Sequence, residues 1–326
     1  HSVWNDKHPQ PSGGEAYERS LTKYLAEQSD RQLASLTPTD EASLGRFRNV
    51  VGGAFDTLIG RGLPNHEQIQ RTKIGKQKGN GYILFKDVLR LQSRGEELPV
   101  VSLFPTKTEW NGDVVIWVDG NGKSGLFSDS GEVRNEVIRL LDGGASVVTA
   151  DLFQQGDFLL DSQPLKQQRS VANTREAAAF TFAYNDTLFA RRVHDILTVI
   201  SWISNDDHNP KHLQLVGLGG AGPLAAAARA IAGDKIDKAA IDTDGFRFTE
   251  LTSYRDPQFL VGAVKYGDLP ALLALSAPHK LWLAGENGKT PAVVASAYRA
   301  AGQADSVTSS AQQNPTNEAV SWLLSR

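Results

Sequence analysis

The residues whose spacing carries the most chemistry are Gly217-Leu218-Gly219-Gly220-Ala221-Gly222. They follow an apolar run, Leu213 to Val216, and precede an alanine-rich stretch, Pro223 to Ile231, that reads as a helix. Two chemistries fit them. Gly217, Gly219 and Gly222 match G-x-G-x-x-G, in which a helix N-terminus receives the pyrophosphate of a dinucleotide. Asp242 lies about twenty residues beyond, where a ribose-binding acid belongs. The same residues match the strand–turn–helix elbow G-x-S-x-G, which exposes a nucleophilic serine. Gly219 then stands where the serine should be. The first reading makes a nucleotide binder. The second makes a hydrolytic scaffold without its nucleophile.

Other candidates sit at strand ends. In open α/β sheets, ligands bind beyond the carboxyl ends of the strands. Asp119, Asn121 and Lys123 follow the apolar run at 114, and Asp151 the run at 146. Asp242 and Asp244 follow the run at 236, and Glu286 and Asn287 the run at 280. If Asp119, Asp151, Asp244 and Glu286 converge, their repulsion raises some of their pKa values or recruits a hard divalent cation. Strand-end aspartates also serve as loop caps or arginine partners, with no ligand at all. Ser124, in Gly122-Lys-Ser-Gly125, resembles the tail of a phosphate loop, but residue 117 is Trp where that motif needs Gly. His194 and Asp195 are adjacent on a helical pattern and so do not face each other, which makes His194 a structural residue. His66, His208 and His212 fall in loops or at strand starts.

The elements that must position these residues alternate. Ala16 to Leu33 is a charged helix pattern, and Thr39-Asp40-Glu41 opens a second helix reaching about Ile59. Ile69–Gln77 and Tyr82–Leu91 read as a hairpin and Leu98–Phe104 as a third strand. Strand then alternates with helix: strands at 114–118, 146–150, 213–216, 236–241 and 280–284, and helices at 132–141, 173–184, 187–204, 223–231, 291–301 and 317–324. Such alternation implies a parallel sheet covered on both faces. The expected division is an N-terminal linker and helix, 1–45, whose first 14 residues are a flexible lead, and a single domain, 46–326.

The 326 residues carry 40% apolar side chains, enough for a full core, and a net charge of -3, which argues against a general nucleic-acid binder. The hairpin bases Arg71, Lys73, Lys76, Lys78, Lys86 and Arg90 read as a solvated face. Cysteine is absent, excluding disulfides, thiolate metal sites and cysteine nucleophiles. No run approaches the ~20 apolar residues of a membrane span. Methionine is also absent, including an initiator, so a processed chain is expected, most simply a mature secreted or periplasmic protein.

Several segments together resemble the acetyl xylan esterase and dienelactone-hydrolase-like branch of the α/β hydrolases. They are Gly95 to Pro105, Val114 to Gly120, Ala150 to Phe153, Arg192-Val-His-Asp195 and Leu215 to Gly222. The resemblance covers about residues 45–326 and lies mainly in the order of elements. It implies a three-layer fold with a mostly parallel central sheet, antiparallel strands at its start, and an elbow at Gly219. It also implies an acid after the 280–284 strand, where Glu286 stands, and a histidine later still. The chain departs from that pattern twice: Gly219 has no hydroxyl, and no histidine follows His279. The expectation is a carbohydrate-related protein without serine-triad catalysis and with no cofactor. Its partner would be carbohydrate or a neighbouring catalytic domain. The alternatives are a hydrolase with an acidic or metal-assisted site, and the dinucleotide binder.

Overall fold

A computed structural model describes residues 4–10, 12–161, 163–174, 177–312 and 314–325. The expected lead over 1–14 and helix over 173–184 lie partly outside the described residues.

Nine strands form one sheet: β1 (Ile69–Lys78), β2 (Tyr82–Leu91), β3 (Glu96–Pro105), β4 (Asp113–Asp119), β5 (Ser146–Ala150), β6 (His212–Leu218), β7 (Lys238–Asp242), β8 (Lys280–Ala284) and β9 (Val307–Ser309). Their spatial order is β1-β2-β3-β5-β4-β6-β7-β8-β9. β1, β2, β3 and β5 pair antiparallel in turn, and β5-β4-β6-β7-β8-β9 run parallel. The chain enters the parallel part at β4, steps to one side for β5, and returns past β4 for β6. The crevice between β4 and β6 is therefore the switch point, where an open α/β sheet binds its ligand.

The helices are α1 (Gly14–Ser35), α2 (Glu41–Phe47), α3 (Gly53–Ile59), α4 (Asn135–Asp142), α5 (Ala179–Phe182), α6 (Leu188–Ser204), α7 (Gly222–Ala232), α8 (Asp268–Ala274), α9 (Ala292–Ala300) and α10 (Thr316–Leu324). Alternation along β4 sends Val114, Ile116 and Val118 into a core with α2, α3 and α6–α9, and Val115 and Trp117 into a second core with α4 and α10. The result is the expected three-layer α/β-hydrolase fold.

Three elements differ from the sequence reading. The helix expected over 41–59 is two helices joined by a π-helical turn, Arg48–Gly52. Two valines followed by Gly52-Gly53 weaken the regular ladder there. Its start is firm: Asp40 accepts the Ser43 N–H at 2.7 Å, and the Ser43 hydroxyl reaches back to the Asp40 N–H, a capping box. β9 is three residues, Val-Thr-Ser, too short and polar to show a period, and α8 was not anticipated. The boundary expected at 45/46 falls inside α2, whose Leu44 and Phe47 are both buried.

α7 lies close against the sheet because its inner face is Gly and Ala. A Cβ on Gly217 would come within 2.4 Å of the Ala225 Cβ, and one on Gly222 within 1.9 Å of the Asp242 carbonyl oxygen. Gly222→Ala is therefore expected to force the helix off β7 and destabilise the fold by about 1–3 kcal/mol, read as a lower urea midpoint. An unchanged midpoint would mean that α7 shifts freely.

Candidate functional site

β6 ends at Leu218, and the chain turns into α7 through Gly219 and Gly220, with φ +57° and +85°. This left-handed turn is the sharp geometry of a nucleophile elbow, here built from residues that adopt it without a Cβ penalty. The loop after β4 rests on it, backbone to backbone: a Cβ on Gly120 would lie 2.0 Å from the Gly219 carbonyl oxygen. Above the elbow lies the Asp119 carboxylate. A Cβ on Gly219 would meet its two oxygens at 3.0 and 3.2 Å. Asp119 is buried, and its Oδ1 accepts the Asn121 N–H at 2.9 Å. Burial raises its pKa, and that hydrogen bond opposes the shift only in part. A carboxylate beside the elbow repels a developing oxyanion, the opposite of what acyl transfer requires.

Asp151, at the end of β5, holds the loop below. Its Oδ1 accepts the Lys123 N–H and its Oδ2 the Asp157 N–H, both at 2.8 Å. The Lys123 ammonium bridges Asp151 at 2.8 Å and Asp157 at 2.5 Å. Gln155 adds a bond from its amide to the Gly120 carbonyl at 3.1 Å. The β5 loop is itself clamped to α6. Asp195 Oδ2 accepts the Phe153 N–H at 2.6 Å, while the Arg192 guanidinium donates to the Phe153 and Gln154 carbonyls. Full burial pushes the Asp195 carboxyl up to about 7.

Glu286 follows β8, the strand after which the acid was expected, but its carboxylate is engaged. Arg247 grips it in a two-point ion pair at 2.5 and 3.0 Å, and the Thr243 hydroxyl donates at 2.7 Å. Beyond β9, where the late histidine was expected, stands Ser310, buried and donating to Glu318. The histidines lie elsewhere. His279 precedes β8 at the amino end of the sheet and pairs with Asp234 at 2.9 Å. His194 is buried on α6, with Nε2 2.6 Å from the Ile59 carbonyl oxygen, and burial lowers its pKa. His208 pairs with Asp206, and His212 opens β6. Ser124 is bonded to the Asn121 carbonyl at 2.7 Å.

The four rim acids are not brought together. Asp119 and Asp151 cap the β4 and β5 loops, Asp244 is exposed on a positive-φ turn, and Glu286 belongs to Arg247. Among the described residues no three His, Asp or Glu side chains are grouped to hold a metal ion. The glycines of the dinucleotide reading serve close packing, and Asp242 accepts the Asp244 N–H at 3.0 Å. They span the end of β6, the turn and the start of α7, deep in the order of the sheet and not in the first βα unit of a dinucleotide domain. Beside the elbow a cavity of about 290 Å³ opens between Gly220, Pro223, Asp244, Phe246, Glu250 and Gln258. The position of Asp119 was not foreseen. Its signal was the glycine spacing at 120, 122 and 125: a Cβ on Gly125 would meet the Asp119 Cγ, and one on Gly122 the Asp151 Oδ1, each at 2.3 Å.

No protein-family model matches this chain, and no curated protein matches it. Solved structures do. A Bacteroides fragilis protein provisionally named as an acetyl xylan esterase aligns with a TM-score of 0.68 at 12% identity, covering 97% of this chain and 86% of its own. A glucuronoyl esterase from Solibacter usitatus aligns at 0.59 and 11% identity, covering 88% and 93%. Acetyl xylan esterase 1 from a Thermoanaerobacterium species aligns at 0.51 and 12% identity, covering 90% and 97%. These likenesses establish the fold. This is an α/β-hydrolase-fold protein whose structural neighbours are carbohydrate esterases. No helix among the described residues is long and apolar enough to cross a membrane.

The raised pKa of Asp119 has a sign that can be measured. Its folded pKa exceeds the unfolded value of 3.8, so its contribution to stability is fully present below that value and is lost as pH rises through the folded pKa. Asp119→Asn should therefore be more stable than the wild type at pH 8, and the advantage should vanish at pH 3.5. Denaturation midpoints at the two pH values check this, and an advantage that grows on acidification contradicts it.

Proposed function

We propose that this protein is a non-catalytic α/β-hydrolase-fold module with a carbohydrate-related role, binding carbohydrate itself or supporting a neighbouring catalytic domain. One observation carries the reading. The elbow residue, Gly219, has no side chain, and the Asp119 carboxylate oxygens stand 3.0 and 3.2 Å from where its Cβ would be. The engagement of Glu286 by Arg247 and the placement of the histidines away from the elbow support it. The likeness in fold to an acetyl xylan esterase and a glucuronoyl esterase supports a carbohydrate-related role. The cavity beside the elbow, with Phe246 between Asp244 and Glu250, offers a ring face and acceptors of the kind that sugar hydroxyls need. Export from the cytoplasm belongs to the same reading, since polysaccharide does not enter cells.

The wild type is expected to hydrolyse 4-methylumbelliferyl acetate and a methyl glucuronate ester no faster than buffer. Gly219→Ser should stay equally inactive. A serine there crowds Asp119, adopts a φ unfavourable to L side chains, and has no histidine beside it to take its proton. Turnover by the wild type that disappears in Asp119→Asn would replace this reading with an acid-assisted hydrolase. Titration calorimetry with xylo-oligosaccharides tests the binding half. Saturable heats weakened by Glu250→Ala and Phe246→Ala are expected, and silence would leave only the supporting role.

A further inference from the structure

A second cavity, of about 730 Å³, lies at the opposite end of the sheet from the elbow. It exists because α6 stops short. The face of the sheet that α6 covers continues past Ser204 along β2, β3 and β5, and among the described residues no helix is laid over it. Its floor is Ile83, Phe85 and Asp87 of β2, Ser102 and Phe104 of β3, and Val148 of β5. Trp202 at the end of α6 forms one wall. Trp110 and His208 form the other, with Trp110 5.7 Å from the Phe104 ring and edge-on to His208 at 6.5 Å. The basic face of the hairpin, read from sequence as solvated, supplies the rim: Arg71 stacks over Trp202 at 5.3 Å and Lys76 over Phe85 at 5.4 Å.

Two polar groups in this lining are unsatisfied. Asp87 is 3% exposed; its Oδ2 accepts from Arg71 at 2.8 Å, and its Oδ1 has no partner. The Ser102 hydroxyl, opposite Phe85 in the strand register, is buried and also unpartnered. A buried acceptor without a donor costs free energy, and a carboxylate oxygen more than most. A mostly apolar cavity with a few convergent polar groups is the usual form of a small-molecule site.

The lining also selects the ligand's chemistry. A sugar needs a partner for each of its many hydroxyls, and only two buried polar atoms await one. An anion would meet Lys73 and Lys76 only at the exposed rim, and on the floor would face the fixed carboxylate of Asp87. A pure hydrocarbon would leave Asp87 Oδ1 and Ser102 unpaired. We propose that this cavity binds a ring-bearing, mostly apolar molecule of the phenol class, whose ring packs among Phe85, Phe104, Trp110 and Trp202 and whose hydroxyl donates to Asp87 Oδ1. The site is independent of the elbow and does not rest on the function proposed for it.

The test is titration calorimetry of the full chain with 2-naphthol, 2-methoxynaphthalene and xylotriose. 2-Naphthol is expected to bind saturably. 2-Methoxynaphthalene, which offers no donor, should bind about tenfold more weakly. Ser102→Leu fills the floor and should abolish binding, with circular dichroism reporting on its fold. Trp110→Ala, on the wall, should weaken binding even if Ser102→Leu fails to fold. The proposal is overturned if 2-naphthol does not bind, or if both naphthalenes bind equally. Tighter binding of xylotriose, or binding indifferent to the Trp110 substitution, overturns it as well.

Discussion

The centre of this molecule is organised by a contact that only glycine permits: the backbone of Gly120 against the carbonyl of Gly219. β4 and β6 are neighbours, and at their carboxyl ends the chain departs in different directions, to α4 on one face and α7 on the other. A switch point normally opens a crevice there. In this protein the two turns close on each other, and the same closeness continues behind them in Gly217 against Ala225 and Gly222 against Asp242. With backbone pressed on backbone, the side chain descending from the end of β4, Asp119, stands over Gly219, and the Gln258 amide donates to the Gly220 carbonyl at 3.0 Å.

A chain of hydrogen bonds keeps that arrangement in register. α6 holds the β5 loop through Arg192 and Asp195, and that loop holds the β4 loop through Asp151, Gln155 and Asp157. The β4 loop in turn places Asp119 over Gly219. Each link satisfies backbone groups that burial would otherwise leave unpaired. The strain is electrostatic and is spread over the buried ends of the chain: burial pushes Asp195 up to about 7 and Arg192 down to about 10, so that each charge is held against a desolvation penalty by the other and by the backbone.

The parallel strands and most helices were legible in the sequence because each is a run with its own period and its own breakers. The antiparallel hairpin was legible for the same reason. What was illegible depends on more than one segment at a time. β9 becomes a strand only because β8 offers it an edge, and α5 is shorter than its pattern because few of its residues find a core. The elbow could be located from Gly217 to Gly222, but its occupant could not, since Asp119 lies a hundred residues earlier and reads as an ordinary strand-end acid. The glycines at 120, 122 and 125 were the trace it left. The rim of acids was equally ambiguous: sequence puts Asp119, Asp151, Asp244 and Glu286 at one edge, whereas their individual partners, Lys123 and Arg247 above all, separate them.

The two ends of the sheet then differ in kind. At the carboxyl end Asp151 and Glu286 have found cationic partners within the chain, and Asp119 is set into a position that its neighbours define. At the amino end the reverse holds. The sheet runs on past the last turn of α6, aromatic rings from two strands, α6 and two loops border the uncovered face, and a carboxylate oxygen and a hydroxyl are buried there without partners. Closed packing at one end and unfinished packing at the other follow from a single feature, the position of α6: its first turns clamp the loops of the elbow, and its last turn stops before the sheet does.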